Sequence, residues 1–179
     1  MTTFSRRNIL AGGAALAAAL PMRALAAAPD YRRLGLAEPA FSLDPKLGLP
    51  DLEGTLHGIG DHRGKVLLVS FWATWCPPCR KEMPSLARLG RELGPDGVVL
   101  AVNVGDREVR VRDFLDGIDH DGLTVLMDRD KTMPGAWFLR GLPVTYVLDR
   151  SGRVALAAIG DRVWDSPEMV TALRAVGES

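Results

Sequence analysis

A seven-residue apolar run that ends shortly before the chain's only two cysteines constrains the fold more than any other sequence feature. The run, VLLVSFW at 66–72, is apolar on both faces apart from Ser70, which is typical of a strand buried between layers of helices. After the cysteines, apolar residues recur at helical spacing, at Met83, Leu86, Leu89 and Leu93. A Gly-Pro pair then ends the predicted helix. Cys76 and Cys79 therefore lie where a buried strand passes into an amphipathic helix.

The rest of the chain alternates between predicted strands and helices. Further strands are predicted at 98–104, 123–127, 144–148 and 154–159, and further helices at 107–118, 130–139 and 166–176. Residues 29–64 are rich in Pro, Gly and Asp and are predicted to form a loose extension with a β-hairpin. This alternation predicts an α/β fold with a mixed central sheet flanked by helices. The 179 residues, 47% of them hydrophobic, suit one folded domain, which we assign to residues 29–179.

Residues 1–28 are predicted to be a signal peptide rather than part of the fold. Arg6 and Arg7 precede an uncharged stretch at 9–20, and Ala24 and Ala26 suit cleavage by a signal peptidase. The uncharged stretch is too short for a bilayer core, which takes roughly 20 residues. The start, SRRNIL, resembles the twin-arginine export signal, with an ordinary secretory signal as the alternative. The mature protein is therefore predicted to be periplasmic or otherwise exported, and soluble after cleavage.

Charge and cysteine usage argue against several classes of function. The chain has 22 basic and 22 acidic residues and no long block of like charge, so no nucleic-acid surface is predicted. A structural zinc site takes four ligands, and no second cysteine pair completes one. His57, His62 and His120 show no ligand spacing and are predicted to lie in turns or loops, so no metal site is predicted. A disulfide that closes so short a loop would stabilise the fold only weakly.

A redox role fits the position of the two cysteines. A helix N-terminus carries unpaired N–H groups and a partial positive charge, which lower the pKa of a thiol there below its free value of about 8.5. The thiolate is the attacking species in disulfide exchange. Cys76 is predicted to attack from the exposed tip, and Cys79, one turn into the helix and more covered, to resolve the mixed disulfide. Pro77 and Pro78 remove two N–H groups and stiffen the turn.

The segment WATWCPPCRKEMP resembles the active-site segment of the TlpA/ResA type of thioredoxin-fold proteins, which are exported thiol–disulfide oxidoreductases. The resemblance covers about residues 37–176. Pro84 matches the proline that kinks the active-site helix of this family. The segment RGLPVTYVLDRSGRV matches the family segment with a cis-proline, which places that proline at Pro143. The resemblance implies a thioredoxin fold with an N-terminal β-hairpin extension and a central strand–helix insertion at 105–127.

The same resemblance implies roles for residues around the cysteines. Glu82 matches a family acid that tunes the titration of the cysteines and could relay the proton of Cys79; the alternative is a solvated glutamate on the helix surface. The backbone of Leu142, before Pro143, is expected to pair with a client segment. The other expected client-binding residues are Trp75, Pro77 and Pro78. The implied partners are a client protein with a disulfide or thiol pair and a membrane electron donor, with no cofactor beyond the Cys76–Cys79 disulfide.

The leading hypothesis is an exported protein-disulfide reductase, acting in cytochrome c maturation or on the cysteine pair of a copper site. A disulfide-forming oxidase would use the same residues and differ only in reduction potential. A Cu(I)-binding chaperone would use Cys76 and Cys79 as soft ligands, but no suitably placed His or Met stands beside the pair. A thiol peroxidase is set aside. Its motif has Pro and Thr seven and three residues before the cysteine, where this chain has Val69 and Ala73.

Overall fold

The computed structural model describes residues 29–177. The predicted signal peptide at 1–28 lies outside the described residues, so its assignment stays a prediction. Within the part of the chain that the structure describes, no helix combines the length and the apolar character that a membrane span requires.

Four α-helices lie within residues 29–177. They are α1 (Pro77–Leu93), α2 (Glu108–Leu115), α3 (Met133–Ala136) and α4 (Pro167–Val176). Short 3-10 helices are present at Ile59–His62 and Gly94–Asp96. α1 ends where the sequence predicts, because Gly94 adopts a positive φ of 54° that glycine tolerates at low cost. α4 is capped by Ser166, whose hydroxyl accepts a hydrogen bond from the backbone N–H of Met169.

Seven strands form two sheets in the described part of the chain. They are β1 (Gly48–Pro50), β2 (Leu56–Gly58), β3 (Val66–Trp72), β4 (Gly97–Val104), β5 (Leu123–Asp128), β6 (Val144–Leu148) and β7 (Val154–Ile159). β1 and β2 pair antiparallel as the predicted hairpin, and the other strands form one sheet in the order β5-β4-β3-β6-β7. β3, β4 and β5 are parallel, while β6 is antiparallel to β3 and to β7. The predicted mixed sheet is confirmed.

Two apolar cores lie on the two faces of the larger sheet. Side chains of β3 alternate between them, since successive side chains of a strand point to opposite faces. Leu68 belongs to the core that includes α1 and α4, whereas Leu67 and Val69 belong to the core that includes β1 and α3. All residues of β3 are buried, because this strand lies in the middle of the sheet. The burial on both faces that the apolar run predicted is confirmed.

Two helices are shorter than predicted. The helix expected at 107–118 ends at Leu115, where a turn that contains a glycine takes over. The helix expected at 130–139 is reduced to the single turn α3, in which Pro134 has no N–H for the hydrogen-bond ladder. Phe138 then adopts a left-handed φ of 51°, which a right-handed helix excludes.

The histidines have more structured surroundings than the sequence predicted. His57 lies in β2, and its Nε2 is 2.9 Å from a carboxylate oxygen of Asp51. Its ring stacks on that of His62, with 6.0 Å between the ring centroids. His120 lies in the loop before β5, as predicted. The prediction of a turn or loop is wrong for His57, because the second strand of the hairpin extends through it.

Four loops meet at one end of the larger sheet, where β3 and β4 end, β6 begins and β7 ends. Trp72 at the end of β3 pairs with Asn103 in β4, and Phe71 pairs with Val144 at the start of β6. Val144 pairs in turn with Ile159 at the end of β7. The topology therefore gathers the cysteine segment and the loops after β4, before β6 and after β7 at this end.

Candidate active site

The cysteine pair bridges the first turn of α1. Cys76 is the N-cap residue of the helix and forms a disulfide with Cys79, with 5.3 Å between the two Cα atoms. The backbone N–H of Cys79 donates to Sγ of Cys76 over 3.3 Å. The sulfur of Cys76 is therefore placed at the helix N-terminus, the position that the strand–helix pattern predicts.

Two prolines determine which backbone group points at the Cys76 sulfur. Pro77 and Pro78 occupy the first two positions of α1. Because proline has no N–H, the N–H of Cys79 is the first backbone donor of the helix. The N–H of Arg80 donates to the backbone carbonyl of Cys76. The positive end of the helix is thus directed at Cys76, an arrangement that favours a thiolate there once the disulfide is reduced.

The exposure of Cys76 differs from the prediction. Cys76 is 3% exposed and Cys79 is 0% exposed, so Cys79 is the more covered of the two, as predicted. The prediction that Cys76 lies at an exposed tip is wrong. Cys76 packs into the same apolar core as Trp72 and Cys79. The exposed side chain at this turn is Trp75, with 67% of its surface accessible.

The loop before β6 lies at the same end of the sheet as the cysteines. The Leu142–Pro143 peptide bond is cis, as the family resemblance implies. The carbonyl oxygen of Pro143 accepts a hydrogen bond from the N–H of Gly160, which ties this loop to the one after β7. Leu142 is half-buried and contacts both cores. Contact of Leu142 and Pro143 with a client stays a prediction, as does contact of Trp75.

A polar anchor that the sequence analysis missed holds the cysteine segment. Asp106, in the loop after β4, accepts a hydrogen bond of 2.6 Å from the backbone N–H of Thr74. The same carboxylate accepts from the side-chain amide of Asn103 at 2.9 Å, and the amide oxygen accepts from the N–H of Asp106. Both polar side chains are buried. The sequence signal was Asn103, a lone polar residue in the apolar strand β4.

Glu82 is buried rather than solvated on the helix surface, with 2% of the residue exposed. Its Oε2 accepts a hydrogen bond of 2.9 Å from the indole Nε1 of Trp164 and a longer one of 3.3 Å from the backbone N–H of Arg162. Burial raises the pKa of Glu82 from 4.5 to about 7, and the hydrogen bonds, chiefly that of Trp164, oppose the increase. A carboxyl group that titrates near neutral pH therefore lies one helical turn from Cys79.

A chain of buried hydroxyl groups extends from Glu82 across two strands. Ser70 in β3 donates to Oε1 of Glu82 over 3.4 Å, and Thr145 in β6 donates to Ser70 over 3.0 Å. All three residues are buried. Ser70 was visible in the sequence as the exception in an apolar run. Its partners were not, because they come from other elements.

Metal ligands are scarce around the cysteines. No group of three or more His, Cys, Asp or Glu side chains within residues 29–177 is arranged to hold a metal ion. A Cu(I) site would therefore depend on the two cysteine sulfurs, which are joined in a disulfide in this structure. Metals bind thiolates, so such a site would exist only in the reduced protein.

Comparison with known proteins supports the predicted family resemblance. The model of the AhpC/TSA family matches residues 37–157. The thiol-disulfide oxidoreductase ResA of Geobacillus thermodenitrificans is 39% identical over 116 residues, which cover 63% of this chain and 65% of that relative. The match thus spans slightly less than two thirds of the relative's length.

Solved structures similar to this chain include two thiol–disulfide proteins. One is a DsbE-type thiol:disulfide interchange protein from Chlorobium tepidum, with a TM-score of 0.68 and 26% identity over 78% of this chain and 99% of that one. The other is a secreted thiol-disulfide isomerase from Corynebacterium glutamicum, with a TM-score of 0.64 and 25% identity over 75% and 85% of the two chains. The predicted thioredoxin fold is confirmed by these likenesses. The AhpC/TSA family model matches more than half of the residues of this chain, and the chain therefore belongs to that family.

Proposed function

We propose that the protein is an exported thiol–disulfide oxidoreductase that reduces disulfides in client proteins through Cys76 and Cys79. The observation that carries the proposal is the disulfide at the N-terminus of α1, where the N–H of Cys79 donates to Sγ of Cys76. The similar proteins named as thiol–disulfide oxidoreductase and thiol:disulfide interchange protein support the same chemistry.

The reaction is a pair of thiol–disulfide exchanges. The Cys76 thiolate of the reduced protein attacks one sulfur of the client disulfide. A Cys76–client S–S bond forms, the client S–S bond breaks, and the other client sulfur leaves as a thiolate. The Cys79 thiolate then attacks the Cys76 sulfur, which forms the Cys76–Cys79 disulfide and releases the second client thiolate. Two electrons pass from the protein to the client, which is reduced.

Glu82 is the proposed acceptor of the Cys79 proton. Cys79 must lose its proton before it attacks, because the thiolate is the nucleophile. A general base works best when its pKa lies near the working pH, and burial raises the pKa of Glu82 to about 7. Glu82 follows Cys79 by three residues on α1, a spacing that brings side chains to neighbouring positions on a helix.

The client is proposed to lie across the surface between Trp75 and the loop before β6. Leu142 lines an apolar groove of about 800 Å³. Exposed aromatic and aliphatic side chains line the same groove, namely Phe41, Phe138 and Ile159. An extended client segment could place apolar side chains there while its disulfide lies at Cys76. Pro77 and Pro78 in the first turn of α1 complete the proposed contact surface.

Export and a membrane electron donor are part of the proposal. The predicted signal peptide at 1–28 and the likeness to a secreted thiol-disulfide isomerase support export. After each turnover the protein carries the Cys76–Cys79 disulfide and needs two electrons before it can act again. In an oxidising compartment those electrons must come across the membrane, so a membrane donor is proposed. The proposed clients are apocytochrome c or the cysteine pair of a copper site.

The proposal predicts stoichiometric electron transfer to a disulfide. Residues 29–179, reduced and then freed of reductant, are expected to reduce one insulin disulfide for each protein molecule and to form Cys76–Cys79 in equal amount. Alkylation and mass spectrometry count the thiols on both proteins. A variant with both cysteines replaced by serine is the control. Tight, cysteine-dependent Cu(I) binding in a titration, together with no reduction of insulin, would show a copper chaperone instead.

A further inference from the structure

The loop after β7, residues 161–165, is fastened to one side of α1. Three contacts attach it to the helix, one at its start and two at its end. They are the Lys81–Asp161 ion pair at 2.7 Å, the bond from the backbone N–H of Trp164 to the hydroxyl of Ser85 at 3.2 Å, and the Arg88–Asp165 ion pair. The three helix residues are spaced by three or four positions, so they form a single stripe along α1. The 161–165 loop therefore lies along this side of α1, next to Glu82.

Glu82 is the residue that the 161–165 loop covers. The indole of Trp164 is 0% exposed, and its Nε1 donates to Oε2 of Glu82 over 2.9 Å. The backbone N–H of Arg162 donates to the same oxygen over 3.3 Å. The other oxygen, Oε1, accepts only the longer bond of 3.4 Å from Ser70 among the hydrogen bonds of the described residues. The orientation of the carboxyl group is thus set mainly by the 161–165 loop.

We propose that Trp164 is a positioning residue, whose indole N–H holds the carboxyl group of Glu82 in the orientation from which it exchanges a proton with Cys79. The inference rests on the proposed function, because it assigns the proton of Cys79 to Glu82.

The donors of the loop balance the effect of burial. A buried carboxyl group without partners stays neutral and cannot accept a proton at neutral pH. Hydrogen bonds from Trp164 and Arg162 favour the charged form of Glu82 and so oppose the effect of burial on its pKa. Glu82 can therefore pass between its charged and its neutral form within the working pH range. A strong donor on one oxygen also leaves the other oxygen, Oε1, as the freer site for a proton.

Other charged groups near Glu82 are accounted for by pairs of their own. Asp161 raises the pKa of Glu82 through its charge, and Lys81 is paired with Asp161. Arg88 is paired with Asp165. The guanidinium group of Arg162 donates to the backbone carbonyls of residues 35, 159, 160 and 161. β3 and β6 contribute the uncharged hydroxyls of Ser70 and Thr145, and on α1 the thiol of Cys79 becomes titratable once the disulfide is reduced.

The first test needs no variant. The indole N–H resonance of Trp164 is recorded by NMR in the oxidised protein, residues 29–179, through a pH titration. We expect it to shift with a midpoint at about pH 7, the same as that of the Glu82 carboxyl carbon, because it donates to that group. The matched control is Trp137, another fully buried tryptophan, whose Nε1 donates to the backbone carbonyl of Lys46. A Trp164 signal that does not follow Glu82 would overturn the proposal.

Variants test the direction of the effect. Trp164→Phe is expected to raise the Glu82 midpoint by about one pH unit, because a hydrogen bond to the charged form is lost. Trp137→Phe removes a buried indole elsewhere and is expected to leave the midpoint unchanged. Asp161→Asn is expected to lower it, because a negative neighbour is removed. An unchanged midpoint in folded Trp164→Phe, or an equal rise in Trp137→Phe, contradicts the proposal.

The pH profile of insulin reduction supplies the functional readout. In Trp164→Phe its lower limb is expected to move to higher pH by the same amount as the Glu82 midpoint. If the wild-type protein reduces no disulfide, the proposed function fails while the Glu82 titration is still measured. If the titration moves and the pH profile does not, Trp164 positions Glu82 but Glu82 does not serve Cys79, which overturns the inference.

Discussion

Replacement of Cys79 by serine is expected to trap the protein on its clients as a mixed disulfide. The first exchange joins Cys76 to the client, and only the thiol at position 79 is placed to break that bond. Turnover should fall by about a thousandfold or more, as is usual when a nucleophile of the chemical step is removed. Non-reducing electrophoresis after mixing the reduced variant with insulin, followed by mass spectrometry of the adduct, detects the trapped species.

Cys76→Ser is the matched control for the trap. It retains one thiol of the pair, but that thiol belongs to Cys79, which lies within α1 and not at the N-cap position where the helix favours a thiolate. This variant is expected to lose turnover to the same extent and to accumulate no adduct. Adduct formation by Cys76→Ser instead of Cys79→Ser would reverse the assigned roles of the two cysteines. Turnover by both variants would mean that the pair does not carry the reaction.

Glu82→Gln is expected to make the folded protein less sensitive to alkaline pH. The pKa of Glu82 is about 7 in the folded protein and 4.5 in the unfolded reference, so the folded state binds its proton more tightly. The contribution of Glu82 to the free energy of unfolding is therefore greatest below about pH 4.5 and is lost as the pH rises through the folded pKa of about 7. The ionised group then costs about 3 kcal/mol, given that one pH unit corresponds to about 1.4 kcal/mol. Glutamine cannot ionise and does not carry this cost.

The measurement is urea denaturation of the oxidised wild-type protein and Glu82→Gln at about pH 4 and about pH 8. Relative to the wild-type protein, the free energy of unfolding of the variant should rise by about 3 kcal/mol between the two pH values. Glu92→Gln changes an exposed glutamate near the other end of α1 and is the control. A difference that stays constant with pH, or equals that of the control, would mean that Glu82 titrates as a solvated group.

The main elements of the fold could be predicted because their patterns are local. β3 is apolar at almost every position, and only a strand covered on both faces accounts for that in so short a run. The start and end of α1 were marked by proline and by Gly94. The shortened helices show the limit of periodicity. Apolar spacing at 107–118 continued past Leu115, but a glycine-containing turn stopped the hydrogen-bond ladder.

The partners of the site residues were not predictable, because they are distant in sequence. Trp164 reaches Glu82 from the loop after β7, and Asp106 reaches Thr74 from the loop after β4. Neither contact has a local signature, since each depends on the strand order at one end of the sheet. The burial of Cys76 was missed for a similar reason. Cys76 belongs to an apolar core to which α4, β5 and other elements distant in sequence also contribute.

The reduction potential of the Cys76–Cys79 pair is the most direct test of the proposed reductase. Residues 29–179 would be equilibrated with dithiothreitol buffers of known potential, and the oxidised fraction would be counted by alkylation and mass spectrometry. A reductase is expected to give a value near or below that of thioredoxin, about −270 mV. A value near that of a strong oxidant, about −120 mV, would contradict the proposal and identify the protein as a donor of disulfides.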